Sequence, residues 1–259
     1  MAKFNFFWAP FFFILAASPV VAGPAAEVSA WQLIEEGLET RDLRFEGPPY
    51  QTLIKLRALR IDPERFELRI LDSRSYGPEW MEIKTLARKA QALAAINGGF
   101  FLPDFRPLGL LIVDGKETNP LRKTDWGIFL VRGHQPRIIH TRDFQKEESV
   151  SQALQVGPRL VVEGRALRLK RQVARRSALG ITFLHQVILV CSKETEVYAQ
   201  DLARIFRLPE AEGGLECRDA LALDGGPSAQ MFADYKGLKI HIMGGSPVPN
   251  GIGVFKRSM

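Results

Sequence analysis

Residues 53–70 read LIKLRALRIDPERFELRI, and their apolar side chains recur at every second position. The first half places Ile54 and Leu56 on one face, with Lys55 and Arg57 on the other. The second half repeats this alternation after a short polar break. A period of two is typical of a strand with one buried face. The stretch therefore predicts two half-buried strands and a fold built on sheets.

The rest of the chain adds more strands than helices. After Pro78, apolar residues recur at helical spacing over residues 83–94, although residues 93–96 also fit a short buried strand. Thr195 is a candidate cap for a helix that extends to Phe206. Further strands are predicted at residues 108–113, 126–131, 137–140, 160–162, 179–190, 220–223, 238–243 and 252–255. We therefore expect an α+β fold: a single domain with mixed, largely antiparallel sheets and a few flanking helices.

Composition excludes several classes of protein. The chain has 259 residues, of which 46% are hydrophobic and 25% charged, which excludes wholesale disorder and a multi-span membrane protein. The net charge of +6 is mild for this length. It favours anionic partners in general, but the basic residues lack the interleaved aromatic platforms of a dedicated nucleic-acid binder. No nucleic-acid partner is expected.

The first 22 residues have the pattern of a secretory signal. Lys3 precedes an apolar run over residues 4–17, and small residues follow at 18–22. We therefore predict a signal peptide at residues 1–22, a folded domain at 23–259, and a secreted or periplasmic location. The run is short for a membrane span, so no stable span is expected after cleavage, although an uncleaved N-terminal anchor stays open.

Cys191 and Cys217 are the only cysteines, and an exported protein permits a bridge between them. Because Cys191 follows an apolar run, a pair of buried thiols is the alternative. Neither cysteine has a metal-ligand companion at short spacing, and the four histidines are scattered. No metal and no cofactor are predicted.

Two glycine-rich turns follow apolar strands, and each begins with a polar residue. One starts at Asn97 and continues with Gly98 and Gly99; the other starts at Asp224 and continues with two more glycines. Paired glycines let a ligand approach main-chain N–H groups closely, although an isolated Gly-Gly is more often only a tight turn. Neither turn has the spacing of a P-loop or dinucleotide site.

Asp224 is the leading carboxylate, because partial burial at a strand end raises a pKa toward the range useful for proton transfer. The alternative is a structural acceptor in an Asx turn. Ser228 lacks the surroundings of a hydrolase nucleophile, so it is a candidate ligand contact or cap. Among the clustered basic residues 159–176, Arg176 precedes an apolar strand and is a candidate phosphate ligand.

Together these segments resemble the phosphodiester glycosidase family over about residues 90–255. The resemblance is carried by AINGGFF (95–101), GLLIVDGK (109–116), QVGPRL (155–160), RSALG (176–180), LDGGPS (223–228) and VPNGIGVF (248–255). It implies hydrolysis of a glycosyl phosphodiester at the anomeric carbon, with release of a sugar and a phosphomonoester.

The resemblance also implies roles for named residues. Asp224, Arg176 and Asn97 are the predicted catalytic residues, and the predicted substrate-binding residues are Gly98, Gly99, Gly225, Gly226, Ser228 and Asp104. The predicted partner is a phosphorylated glycan or glycosyl phosphodiester. Two alternatives stay open: a non-catalytic binder of phosphorylated or acidic glycans in the cell envelope, and a structural envelope protein whose glycine turns are only turns.

Overall fold

The structure is a computed structural model that describes Met1 and residues 27–77, 80–147 and 149–257. The predicted signal peptide lies outside these residues, apart from Met1. The strands are β1 (Glu27–Val28), β2 (Gln32–Glu35), β3 (Leu38–Phe45), β4 (Ile54–Ile61), β5 (Phe66–Asp72), β6 (Ala94–Asn97), β7 (Leu111–Val113), β8 (Lys116–Asn119), β9 (Gly127–Arg132), β10 (Gln135–His140), β11 (Val150–Val156), β12 (Arg159–Val162), β13 (Arg165–Ala166), β14 (Val173–Ala174), β15 (Ser177–Thr182), β16 (Val187–Ser192), β17 (Val197–Tyr198), β18 (Cys217–Ala222), β19 (Met231–Tyr235), β20 (Leu238–Ile242) and β21 (Asn250–Lys256). The α-helices are α1 (Ile83–Ala90) and α2 (Ala199–Arg207).

Three sheets make up most of the structure. The large sheet has the order β1-β3-β4-β16-β15-β18-β12-β13, with β2 paired to β3. The second sheet has the order β10-β9-β11-β7-β8, and the third has the order β20-β19-β6-β21-β5. A short ribbon of β14 and β17 completes the set. All pairings between the described strands are antiparallel, although many neighbours in a sheet are distant in sequence.

The predicted α+β class is wrong, because the described residues form a mostly β structure with two α-helices. The helical spacing predicted for residues 83–94 ends at Ala90, where Gln91 adopts a left-handed conformation. The alternative strand interpretation of the following residues is correct, since β6 begins at Ala94. The run at residues 179–190 is two strands, β15 and β16, joined by a turn. The sheets were predicted to be mixed and largely antiparallel, whereas every pairing between the described strands is antiparallel.

The second helix begins later than predicted. Helix α2 starts at Ala199 with Tyr198 at its N-cap, so Thr195 does not cap it. The Thr195 hydroxyl instead accepts the Lys55 main-chain N–H at 3.2 Å and donates to the Lys55 carbonyl at 3.3 Å. A threonine hydroxyl can bond either to the first turn of a nearby helix or to main-chain groups far away in sequence. The local sequence does not distinguish these two uses.

The core lies where the three sheets meet. Leu59 and Leu189 from the large sheet, Phe129 from the second and Ile96 from the third belong to one buried cluster. Helix α2 covers the other face of the large sheet, and α1 covers the outer face of the third. Strands β15 and β16 are therefore buried on both faces, which explains their continuous apolar sequence.

The two cysteines are buried free thiols. Cys191 pairs with Ser177 at one end of β15, whereas Cys217 pairs with Thr182 at the other end. A strand of this length separates the ends by about 15 Å, and a disulfide needs Cα atoms within about 7 Å. Burial raises the pKa of Cys191 to about 11. Of the two possibilities, the buried-thiol interpretation is the correct one.

None of the helices in the described residues has the length and hydrophobicity needed to cross a membrane.

Candidate active site

The two glycine-rich turns meet at neighbouring strand ends. The side chain of Asn97, at the end of β6, donates from Nδ2 to the Asp224 carbonyl at 2.8 Å. Its Oδ1 accepts the main-chain N–H of Gln230 at 3.1 Å. The Asp224 N–H donates to the Gly98 carbonyl at 3.0 Å. These bonds bring together two polar residues that were predicted at the ends of separate strands.

The Asp224 carboxyl lies in a partly buried position just after β18. Desolvation raises its pKa above the ordinary value of 3.8. Hydrogen bonds from the Ser228 hydroxyl and the Gly225 N–H favour the ionised form and lower the pKa by a smaller amount. Ser228 itself is buried, so it acts on this carboxyl from inside the turn. The net effect is a carboxyl group with a raised pKa, because desolvation outweighs the two hydrogen bonds.

The glycine N–H groups near this carboxyl bond to acceptors within the protein. Gly98 donates to the main-chain carbonyl of Asn250 at 3.0 Å, and Gly99 donates to its Oδ1 at 2.8 Å. Gly226 donates to the Arg175 carbonyl at 2.9 Å, and the Gly225 N–H lowers the pKa of the neighbouring Asp224 carboxyl. The predicted use of these glycines as anion donors therefore stays a prediction; their observed use is to build the turns.

Arg176 is buried, and its guanidinium is bonded to main-chain carbonyls. Nε donates to Val197 at 3.0 Å and Nη2 donates to Gln172 at 2.5 Å. Burial lowers the pKa of the guanidinium. These contacts fix the segment that leads into β15. The predicted role as a phosphate ligand is not visible in these contacts and stays a prediction.

The sequence did not single out the adjacent Arg175, yet its side chain contacts the segment that follows the Asp224 turn. Its Nη2 donates to the carbonyls of Ala229 and Met243, at 3.1 and 2.6 Å. Its Nε is buried and has no hydrogen-bond partner among the described residues. The residue as a whole is partly exposed, whereas Arg176 is buried. Of the two arginines, Arg175 is therefore the one whose side chain a ligand can reach.

Asn250 is the second residue that sequence reasoning missed. It begins β21 inside the quoted segment VPNGIGVF, and it holds both glycines of the Asn97 turn. The side chain is buried, and its Nδ2 has no partner in the described part of the protein. Its position within a quoted segment was the available signal, but its partners are about 150 residues away in sequence.

Asp104 lies on an exposed loop that follows the Asn97 turn. Its carboxylate accepts a hydrogen bond from Nε of Arg106 at 2.6 Å, which lowers its pKa. The described contacts do not join Asp104 to Asp224. Within the described ranges, no three His, Cys, Asp or Glu side chains lie together as metal ligands.

The contact between Gly98 and Asn250 yields a stability prediction. A Cβ on Gly98 would lie 2.0 Å from Oδ1 of Asn250, which is already bonded to Gly99. Gly98→Ala should therefore lower the free energy of unfolding by about 1–3 kcal/mol, as overpacking does. In the Asn250→Ala background the same change should cost less, because the clashing oxygen is gone. Urea unfolding of the wild type, the two single variants and the double variant measures this coupling. If the two losses of unfolding free energy simply add, the proposed contact between Gly98 and Asn250 is contradicted.

Several solved structures share this fold. The catalytic domain of zebrafish N-acetylglucosamine-1-phosphodiester alpha-N-acetylglucosaminidase, auto-inhibited by its pro-peptide, aligns with a TM-score of 0.67 at 14% identity, over 90% of this chain and 88% of that one. A hypothetical protein from Synechocystis aligns with a TM-score of 0.61 at 16% identity, over 86% of this chain and 62% of that one. A putative exported protein from Burkholderia pseudomallei aligns with a TM-score of 0.52 at 12% identity, over 81% of this chain and 75% of that one.

Sequence comparison adds a relative and a family. The uncharacterized protein YigE of Escherichia coli (strain K12) is 23% identical over 124 residues. That match covers 43% of this chain and 49% of YigE, so it spans about half the length of that relative. The family model for phosphodiester glycosidase matches residues 90–255, well over half of the chain. The match includes both glycine-rich turns and Asn250. The chain therefore belongs to the phosphodiester glycosidase family.

Proposed function

We propose that this protein is an exported hydrolase that cleaves glycosyl phosphodiesters at the anomeric carbon and releases a sugar and a phosphomonoester. The observation that carries the proposal is the Asp224 carboxyl, which burial gives a raised pKa at the junction of the two turns. Family membership supplies the reaction class. The name of the zebrafish enzyme, which shares the fold, supports an N-acetylglucosamine phosphodiester as the first substrate to try.

The carboxylate of Asp224 has two possible roles in this reaction. As a base, it takes a proton from water while the water oxygen bonds to the anomeric carbon. The bond from that carbon to the phosphate oxygen breaks, and its electron pair leaves with the phosphomonoester. As a nucleophile, the carboxylate bonds to the anomeric carbon while the bond from that carbon to the phosphate oxygen breaks and the phosphomonoester leaves. Water then attacks the same carbon, loses a proton and breaks the bond to the carboxylate, which releases the sugar. Both roles require the ionised form, and phosphate leaves without a strong general acid.

Charge on the departing phosphate needs a cation beside Asp224. We assign this role to Arg175, because its carbonyl accepts the N–H of Gly226 beside the carboxylate and its side chain is partly exposed. Arg176 helps to position Arg175, because its guanidinium donates to the main-chain carbonyls of Gln172 and Val197 and so fixes the segment that carries both arginines. In this assignment Arg176 is a positioning residue and Arg175 contacts the substrate.

Export is the other half of the proposal. It rests on the signal-like residues 1–22, whose apolar run and small-residue end are typical of a cleaved leader. Expression of the full chain in a bacterial host should therefore give a mature protein that begins at or near Gly23. N-terminal sequencing of the periplasmic and medium fractions measures this; a full-length protein retained inside the cell would contradict it.

Replacement of the carboxylate tests the reaction. Asp224→Asn should lower kcat by about 10²–10⁴-fold, the usual contribution of a positioned proton-transfer group. Phosphorus NMR of methyl N-acetylglucosamine 1-phosphate follows the appearance of methyl phosphate. Asp234→Asn is a matched control, because Asp234 is an exposed aspartate on β19 paired with Lys239.

Each outcome of that experiment is informative. Full activity in Asp224→Asn, with an unchanged circular dichroism spectrum, would contradict the catalytic role proposed for Asp224. A wild-type protein that broadens the phosphodiester resonance without converting it would favour the non-catalytic glycan binder instead.

The Ser228 hydroxyl yields a prediction about pH. Because the ionised carboxylate is the active form, kcat/KM should fall as the pH drops through the pKa of Asp224, which lies above the ordinary value of 3.8. The hydroxyl stabilises the carboxylate, so Ser228→Ala should raise this pKa and move the acid limb to higher pH. The plateau at higher pH should change less than the limb. A limb that stays in place or moves to lower pH would contradict this assignment.

A further inference from the structure

A cavity of about 370 Å³ lies between the large sheet and the turn that joins β19 to β20. Its volume is within the range of about 300–1,000 Å³ that is usual for small-molecule sites. One wall comes from β2, β3 and β4, and the other comes from the first residues of β20 and the turn before it. Strand β19 leads away from the Asp224 turn, and its 5 residues span about 17 Å. The cavity therefore lies at the other end of β19 from the candidate active site.

The charged side chains that line this cavity are all cationic. They are Arg57 from β4, Lys236 from the turn and Lys239 from β20. No aspartate or glutamate is among the described residues of the lining. Like charges that converge on one cavity repel one another, and an anion placed between them removes that repulsion. The cavity is therefore electrostatically suited to an anionic ligand.

Two carboxylates beside the cavity are each shared by two cations. Asp42 pairs with Arg57 at 2.9 Å and with Lys193 at 3.1 Å. Glu35 lies 3.3 Å from Nζ of Lys236 and also pairs with a second lysine. A carboxylate that is divided between two cations neutralises only one of them, so positive charge is left over on this side of the protein.

The leftover charge can be counted over the whole network. Lys239 pairs with Asp234, which brings the network to five cations and three carboxylates. The formal excess is two positive charges. Part of the net charge of +6 is thus concentrated around one cavity. A ligand with two negative charges would neutralise the excess.

The guanidinium of Arg57 is held in place before any ligand binds. Its Nη2 pairs with Asp42 at 2.9 Å, and its Nη1 donates to the hydroxyl of Thr40 at 3.3 Å. Thr40 is buried, and its own hydroxyl donates to the Ala58 carbonyl at 3.1 Å. A guanidinium fixed in this way loses little entropy when it binds an anion.

The turn between β19 and β20 presents an open face beside the lysines. Lys236 and Gly237 have positive φ angles of 44° and 84°, as in the tight turns that join hairpin strands. A Cβ on Gly237 would lie within 4 Å of no other atom, so a ligand can approach the main chain there. Successive main-chain N–H groups in such a turn can supply further hydrogen bonds to an anion.

We infer that this cavity binds a phosphate group, either free or as part of a larger molecule. A tetrahedral phosphate presents oxygens in several directions, which suits donors that converge from two walls, whereas a carboxylate has two oxygens in one plane. A phosphate charge of about −1.5 to −2 near pH 7 also matches the excess of positive charge. The site goes beyond the proposed hydrolase function and does not depend on it.

Calorimetry with inorganic phosphate at constant ionic strength tests the inference. The wild type should bind phosphate saturably, and Arg57→Gln should weaken the affinity by about tenfold or more, as loss of a charge-assisted hydrogen bond does. Because Arg57 also has structural contacts, the double variant Lys236→Gln/Lys239→Gln repeats the test with exposed side chains alone. Arg137→Gln is the matched control, since Arg137 is an exposed arginine on β10 outside the cavity.

The Asp224 site is a second place for phosphate under the proposed function, and Arg175→Gln separates the two. Phosphate should shift the amide resonance of Gly237 in NMR spectra of the wild type, and it should still do so in Arg175→Gln. Phosphate binding that Arg175→Gln abolishes and Arg57→Gln leaves intact would overturn the inference while the proposed function stands.

Vesicles distinguish a free phosphate from a lipid headgroup. Co-sedimentation with phosphatidylglycerol vesicles but not with phosphatidylcholine vesicles, reduced in Arg57→Gln and kept in Arg137→Gln, would assign the site to a membrane phosphate. Binding of inorganic phosphate without co-sedimentation would assign it to a soluble phosphate. Failure of both probes, or equal losses in Arg57→Gln and Arg137→Gln, would overturn the inference. Neither result bears on hydrolysis at Asp224, so the two proposals fail separately.

Discussion

The buried side chain of Asn97 joins the two turns on which the site depends. Its oxygen accepts from Gln230 and its nitrogen donates to the carbonyl of Asp224, a residue 127 positions away. An unpaired amide in such a place costs about 1–3 kcal/mol, so each turn is needed to satisfy the group that fixes the other. Aspartate has the same shape but lacks the donor, and leucine lacks both groups. The position of the carboxyl group therefore follows from one amide.

Period-two patterns predicted strands with alternating burial, and a continuous apolar run predicted the region that is buried on both faces. Strand β4 follows residues 53–61 closely, and β15 and β16 account for the long apolar run. Strand β11 was missed because Gln152 and Gln155 are buried within it. Their side chains bond to main-chain groups of other segments, as when Gln155 accepts the N–H of Leu110. Such pairing makes a polar residue compatible with the core, and the sequence alone does not show the partner.

The same limit applies to the site. The strand-end positions of Asn97 and Asp224 were readable because each ends an apolar run before two glycines. The choice between Arg175 and Arg176 was not, since neighbouring residues on an extended segment point to opposite sides. Only the start of β15 at Ser177 and the carbonyls around Arg176 show which side chain enters the packed interior. Asn250 was hidden for another reason: its function in the turn is defined wholly by distant glycines.

Charge beside the carboxyl group explains why an arginine is assigned there. A phosphodiester anion next to the ionised Asp224 raises the energy of both groups, and a cation nearby offsets that repulsion. Arg175 is partly exposed, and its Nη2 is held by the carbonyls of Ala229 and Met243. Arg176 is buried and donates to two main-chain carbonyls, which it would have to give up to bind a phosphate. An unpaired buried carbonyl costs about 1–3 kcal/mol, so the exposed arginine is the better phosphate ligand.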